Sequence, residues 1–239
     1  MNRSKAKRVV GILGGMGPEA TILLQQRVLA TVEATDDSDH LPLLIDMNPH
    51  VPSRIAHLIE QTGEDPGPCI GAMAQRLEAA GATALAMPCN TAHHYAQAVT
   101  SAVSIPFLNM VDLSVVKAAS RMQPGQSIGF LASPAVQSAG VFDEALNKAS
   151  MQAVWPEDGQ RMLSIIREIK AKGPTAQARQ TLGEAAHELT TKGATLLFVA
   201  CSEFSLIARD LPKDFPIIDT VDVLADAIHD HTTANEVPL

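Results

Sequence analysis

The sequence predicts an α/β protein of two pseudo-symmetric lobes, each a parallel sheet flanked by helices, with the active site in the cleft between them. Three observations lead there. Short apolar runs that read as buried strands alternate with longer helical stretches, the pattern of parallel sheets covered by helices. Gly81-Ala-Thr-Ala-Leu-Ala-Met-Pro-Cys89 and Gly193-Ala-Thr-Leu-Leu-Phe-Val-Ala-Cys201 carry Gly-Ala-Thr and cysteine at one spacing. Two more segments recur in the same order. Gly11-Ile-Leu-Gly-Gly-Met-Gly-Pro18 parallels Gly129-Phe-Leu-Ala-Ser-Pro134, and Ile105-Pro-Phe-Leu-Asn-Met-Val-Asp112 parallels Phe215-Pro-Ile-Ile-Asp-Thr-Val-Asp222.

The elements follow from apolar run length and from Gly, Pro and small polar punctuation. In the first lobe a strand over 9–13 enters a glycine loop and a helix over 18–33. A strand over 43–47, a Pro-rich loop and helices over 53–61 and 70–80 come next. The strand over 84–87 delivers Cys89 to a helix over 91–99, and a short strand at 107–108 precedes a helix over 112–121. The pattern then restarts, with a strand over 127–132 and helices over 138–149, 159–171 and 175–192. The strand over 196–200 delivers Cys201, and a last strand over 217–219 leads into a helix over 221–231. The lobes divide as 1–106 plus 218–239, the C-terminal helix returning to the first lobe, and 107–217. The tail from Asn235 is expected to fray.

Composition narrows the class. The chain of 239 residues is 46% hydrophobic and 18% charged, which suits a soluble globular protein. A net charge of -8 argues against nucleic acid or an anionic membrane as partner. No apolar stretch approaches the roughly 20 residues of a membrane span, and the basic start before Val9 makes a poor signal peptide. The three cysteines, Cys69, Cys89 and Cys201, are odd in number and widely spaced, so no disulfide framework is expected and a cytoplasmic setting is.

Cys89 and Cys201 are the candidate catalytic groups. Each ends a predicted strand where a helix begins, the place where ligands collect in parallel α/β sheets. A helix N-terminus there lowers a thiol's pKa. Two thiols facing one carbon from opposite sides form a device for moving a proton between its faces. Asn90, Thr91, Ser202 and Glu203 flank the thiols, either as caps or as donors to a carboxylate. The loop around Met16 mimics a dinucleotide fingerprint, with Glu33 and Asp36 near the expected acidic position, but is read as a loop whose amides approach a small acid. Arg54, in a turn-rich loop, is suited to a bidentate bond with a carboxylate. His93, one helical turn from Cys89, is either a base or a structural histidine, and Lys170 lies on a charged helix face. No spacing suggests a metal site.

Taken in order, Gly-Gly-Met-Gly-Pro, Pro88-Cys-Asn-Thr-Ala-His93 and Ala-Cys201-Ser-Glu resemble the aspartate/glutamate racemase superfamily, most nearly its aspartate racemase branch. The resemblance runs from about Val9 to His231. It implies two α/β lobes, often paired as homodimers, with catalysis that needs no pyridoxal phosphate or other cofactor. It implies Cys89 and Cys201 as the acid/base pair, with Asn90, Thr91 and Ser202 around the α-carboxylate and amine. Met16 becomes a wall, Arg54 and Lys170 hold the side-chain carboxylate, and Ser133 lies near that pocket. The chain departs from the pattern at Ser53, Asn109, Pro134, Ala135, Ala200 and Ser202, and Pro134-Ala135 alters the wall facing the distal group. The resulting expectation is a racemase of aspartate or a related acidic amino acid. The alternatives are an isomerase or decarboxylase of a small dicarboxylic acid on the same fold, a dinucleotide-dependent oxidoreductase, or a non-catalytic acid-binding protein.

Overall fold

The computed structural model describes residues 8–234, so the basic start up to residue 7 and the tail from Asn235 lie outside the described residues. The first half contains β1 (Val10–Gly14), α1 (Pro18–Leu29), β2 (Leu43–Met47), α2 (Arg54–Leu58), α3 (Gly67–Ala79), β3 (Ala84–Ala86), α4 (Ala96–Thr100), β4 (Phe107–Leu108) and α5 (Met110–Ala119). The second contains β5 (Ser127–Ala132), α6 (Pro134–Ser138), α7 (Asp143–Lys148), β6 (Gln152–Val154), α8 (Gly159–Lys172), α9 (Ala176–Thr191), β7 (Ala194–Ala200), α10 (Ser202–Ser205), β8 (Ile217–Asp219) and α11 (Thr220–Thr233). Short 3-10 turns cover Asp37–Asp39, Thr91–Tyr95 and Ala208–Asp210.

The strands form two four-stranded sheets, ordered β2-β1-β3-β4 and β6-β5-β7-β8, and every pairing is parallel. The two orders are identical once the halves are superposed in sequence, so β3 and β7 are the matching inner strands. The expected lobe boundaries fall at β4, whose Phe107 pairs with Leu85 in the first sheet, and inside β8, whose Ile218 pairs with Phe198 in the second.

The repeat reaches side-chain detail. A Cβ on Gly11 would lie 2.8 Å from Leu85 Cδ2 and 3.0 Å from the Cβ atoms of Ala82 and Leu77. On Gly129 it would meet the counterparts: Leu197 Cδ2 at 2.6 Å, Leu189 Cβ at 2.9 Å and Ala194 Cβ at 3.0 Å. Each glycine therefore lets a helix, α3 or α9, lie directly on its sheet. Gly81 and Gly193, which turn those helices into β3 and β7, both take positive φ, at 100° and 93°.

Both faces of each sheet are covered. Leu13 and Leu85 of the first sheet pack against Ile70, Met73 and Leu77 of α3, and Val10 and Ile12 on the other face pack against α1. In the second sheet, Leu131, Leu197 and Val199 meet α8 and α9, and Ile128 and Phe130 meet α7. The halves also exchange a helix. Val111 and Val115 of α5, which follows the first sheet, cover the second sheet, whereas Val221, Leu224 and Ile228 of α11, which follows the second sheet, cover the first.

Four expectations are corrected. The helix over 138–149 is two helices, because Gly140 at a φ of 59° breaks the run. The helix over 91–99 is a 3-10 turn at Thr91–Tyr95 followed by α4. The helix over 53–61 stops at Leu58, with Gln61 at a φ of 53° just beyond. Strand β6, at the sheet edge and with Gln152 exposed, was not expected at all.

Candidate active site

The two cysteines meet. Cys89 and Cys201 line one small cavity, about 50 Å³, together with Met16, Arg54, Thr91, Ser133, Lys170 and Glu203. At roughly 10–15 Å³ per water sphere this is room for a few waters, so its walls must part to admit an amino acid. Ser53, Arg54, Lys170 and Glu203 also line a wider outer pocket of about 480 Å³. These four residues form the partition between the inner cavity and that pocket. Of the nine residues expected at the site, seven line the inner cavity. Asn90 and Ser202 are buried outside its walls.

Each cysteine reaches the cavity from the loop that follows an inner strand. Cys89 lies three residues past the end of β3, and Cys201 immediately follows β7 as the N-cap residue of α10. Both corners are locked by the side chain four residues on. His93 donates from Nδ1 to the Cys89 carbonyl at 2.9 Å, and its Nε2 accepts the Met110 N–H at 3.1 Å, which fixes the tautomer. Ser205 Oγ lies 3.4 Å from the Cys201 carbonyl and donates to Asp219 Oδ1 at 2.7 Å. With both ring nitrogens occupied and burial pushing its pKa down to about 4, His93 is a neutral brace rather than a base. Asn90 ties the corners together, its Nδ2 donating to Thr220 Oγ1 at 2.9 Å.

The electrostatics centre on Glu203. Cys201 Sγ donates to Glu203 Oε2 at 3.1 Å, and Glu203 Oε1 pairs with Lys170 Nζ at 3.2 Å. The helix terminus at Cys201 was expected to lower its pKa. Instead, burial and then the Glu203 carboxylate push the thiol well above the ordinary range, and α10, with four residues, offers little dipole against them. Burial pulls Lys170 down, but the charges of Glu203, Cys201 and Cys89 outweigh that and hold it above its usual value. Arg54 spends three N–H groups on carbonyls, those of Val51 at 3.3 Å, Pro52 at 3.0 Å and Met16 at 3.1 Å. It therefore holds the Met16 loop as well as lining the cavity.

The glycine loop is closed in on itself. The Gly15 N–H donates to Thr21 Oγ1 at 2.9 Å, and a Cβ on Gly15 would lie 2.3 Å from the Asn48 carbonyl. Asp36, the candidate ribose ligand, instead caps the Asp37–Asp39 turn. Its geometry thus disfavours the dinucleotide reading. Among the described residues no cluster of three or more His, Cys, Asp or Glu side chains is arranged to hold a metal, and no helix is long and apolar enough to cross a membrane.

Glu203, expected as a cap or a donor beside Cys201, is instead the acceptor of its thiol and the partner of Lys170. The available signal was an acid two residues after one cysteine, where the other cysteine has Thr91. Its ion pair could not be read, because Lys170 comes from α8, 33 residues upstream of Glu203.

The duplicated strand order and the two cysteines brought to one cavity sit in a chain whose similarity to known proteins points one way. The sequence signature described as Asp/Glu/hydantoin racemase matches residues 13–228. The chain belongs to that family of isomerases. It is 26% identical over 222 residues to the broad specificity amino-acid racemase RacX of Bacillus subtilis, covering 91% of this chain and 95% of the relative. The solved aspartate racemase of Picrophilus torridus superposes with a TM-score of 0.84 at 28% identity, covering 94% of each chain. An aspartate racemase homologue from Pyrococcus horikoshii shares the fold, with a TM-score of 0.75 at 18% identity, covering 96% of this chain and 100% of that one.

Proposed function

We propose that this chain is a cofactor-independent amino-acid racemase acting on aspartate or a related acidic amino acid, with Cys89 and Cys201 exchanging the α-proton. The observation that supports it most is that two thiols from matching strand ends line one cavity beside Lys170. One cysteine, as thiolate, removes the α-proton, and the other, as thiol, returns a proton to the opposite face. The α-proton is a very weak acid, so the α-carboxylate needs donors aimed at the enediolate charge that develops. Thr91 and Ser133 line the cavity and supply hydroxyls for it. Asn90, buried behind the walls, ties the Cys89 corner to Thr220, and Ser202 is buried beside Cys201. Lys170 and the unspent N–H groups of Arg54 meet the distal carboxylate, which must compete with Glu203 for the lysine. Closure over the substrate excludes water and strengthens these contacts. The same reading takes a free amino acid as partner and pairs the chain as a homodimer, which sedimentation would show.

The test is α-proton exchange in D₂O without added cofactor, followed by NMR. The panel holds both enantiomers of aspartate, glutamate and cysteate, plus neutral and basic amino acids because a relative is named for broad specificity. Exchange of an acidic amino acid that requires both cysteines is expected. No exchange with any member would overturn the reading.

A further inference from the structure

The two cysteine corners share one plan but differ in charge. Two residues after Cys89 stands Thr91, and two residues after Cys201 stands Glu203. Glu203 is 8% exposed, and its two carboxylate oxygens have different partners: Oε2 accepts from Cys201 Sγ, and Oε1 faces Lys170 Nζ. It lines the inner cavity with the thiols and also the outer pocket, which is large enough for many waters. Cys201 itself is 6% exposed and does not line the outer pocket. Glu203 is the carboxylate that spans the partition between the buried thiol and water.

We propose that Glu203 is the relay that returns the Cys201 proton between turnovers, a positioning residue that acts through Cys201 and not on the substrate. The proposal rests on the racemase reading and adds a step to it. A two-thiol racemase finishes each turnover with its protons exchanged. When the Cys89 thiolate takes the α-proton and the Cys201 thiol gives one up, the enzyme is left with a Cys89 thiol and a Cys201 thiolate. A second molecule of the same enantiomer cannot react until that pair is reset.

In the reset, Glu203 picks up a proton from water in the outer pocket. The O–H bond of its carboxyl then breaks as the S–H bond of Cys201 forms, and Cys89 loses its proton to solvent. Turnover of the opposite enantiomer uses the reverse: the Cys201 S–H breaks, Glu203 Oε2 takes the proton, and the outer water removes it. No proton is gained or lost over the cycle, and no redox partner is required. Lys170 keeps Glu203 beside the thiol and offsets its charge. The charged groups facing Cys201 are Glu203 on α10, Lys170 on α8, the Cys89 thiol across the cavity and the Arg54 guanidinium in its wall. Among them only Glu203 bonds to the sulfur. Burial and that carboxylate hold the resting thiol protonated, consistent with a form waiting to donate.

Glu203→Gln and Glu203→Asp test the proposal by two readouts. The first is the pH profile of Cys201 modification by methyl methanethiosulfonate, read on its peptide by mass spectrometry with Cys89 as internal reference. Glu203→Gln removes the negative charge and the acceptor, so the Cys201 profile should move down by about one pH unit or more. Reaction at pH 7 should then quicken roughly tenfold while Cys89 stays put. Glu203→Asp should move the profile back toward the parent. An unmoved Cys201 profile, or equal movement of Cys89, overturns the proposal. This readout needs no turnover, so it still reports if the chain racemises nothing, an outcome that sinks the racemase reading instead.

The second readout is kinetic. If the reset becomes limiting in Glu203→Gln, kcat falls roughly tenfold or more and KM falls with it, while kcat/KM is nearly kept. Added imidazole should restore kcat by carrying the proton. A loss confined to kcat/KM and indifferent to imidazole assigns Glu203 to substrate binding and overturns the relay.

Discussion

The corner that carries Cys89 and the corner that carries Cys201 are built alike and charged differently. In each, an inner strand ends, the cysteine follows, and a side chain four residues later reaches the cysteine carbonyl: His93 in one, Ser205 in the other. Each of those side chains then bonds the start of the helix after the last strand, Met110 in one half and Asp219 in the other. The scaffold that aims the sulfurs is therefore duplicated. What differs is the charge each corner buries. The first holds a neutral imidazole and a threonine, and the second holds Asp219 and Glu203. A symmetric frame thus carries two thiols in unlike electrostatic settings, which is what a reaction needing one thiol and one thiolate requires.

The largest effect should come from the sulfurs. Cys89→Ala and Cys201→Ala should each reduce racemisation by at least roughly 10²–10⁴-fold in both directions, measured by chiral chromatography. Activity retained in either variant breaks the functional equivalence of the corners and the two-base scheme with it.

The frame is tested by Gly11→Ala and Gly129→Ala. Each places a Cβ within 3.0 Å of neighbouring side chains in matching pockets. Each should cost about 1–3 kcal/mol, or roughly 2–4 °C of Tm per kcal/mol. Thermal melts that differ widely between the two would show that the halves are not packed to the same tolerance.

Stability against pH separates the two buried titratable groups, His93 and Asp219. His93 stays neutral down to about pH 4, whereas an unfolded histidine protonates near 6.5, so this group makes stability fall as pH drops through that window. Burial, then the charge of Asp222, raise the Asp219 pKa to about 7, so the folded state holds a proton that the unfolded chain releases near 3.8. Stability from Asp219 is therefore present at low pH and is lost as pH rises toward 7, and Asp222, also raised by burial, acts in the same direction. The opposing slopes, each at most about 1.4 kcal/mol per pH unit, offset one another between about pH 4 and 6.5. His93→Gln should leave stability declining with rising pH, and Asp219→Asn should leave it climbing. Urea titrations across that range with no change of slope in either variant would refute this assignment.

The smallest contrast lies in the repeated Gly-Ala-Thr. Thr83 Oγ1 accepts from Val9 N at 3.1 Å and donates to Val9 O at 3.0 Å, whereas Thr195 Oγ1 makes one bond to Ser127 O at 3.3 Å. Thr83→Ala should cost about 1 kcal/mol and Thr195→Ala less, by chemical denaturation. The reverse order would mean that the starts of the two inner strands, β3 and β7, are not comparable.

The repeat made the frame legible in the sequence. Because Gly81-Ala-Thr and Gly193-Ala-Thr each precede a cysteine at one spacing, the two strand ends and their convergence follow from one pattern. Elements that the repeat does not mark were harder to read. Strand β6 is three residues at an edge with no apolar run, and the break at Gly140 sits inside a stretch whose composition suits a helix. At the site, the Met16 loop, Arg54 and Thr91 were read from their local pattern, Ser133 and Lys170 came with the family resemblance, and all five line the cavity. What resemblance did not convey was how they are engaged. The Met16 carbonyl that holds Arg54 and the lysine that pairs with Glu203 arise from tertiary packing, which local pattern does not encode.

The helix exchange between the halves bears on how the chain is made. As a nascent protein leaves the ribosome, its N-terminal portion usually folds first, as a unit. Here the first sheet cannot finish early. Val10, Ile12 and Leu24 share their core with Val221, Leu224, Ala225 and Ile228, which are synthesised only after the whole second sheet. Until α11 emerges, one face of that sheet lacks part of its apolar cover and remains open to chaperones or to another nascent chain. Cys89 sits on the half that matures last, although it is translated first, so a working pair of thiols exists only once α11 has been made and docked.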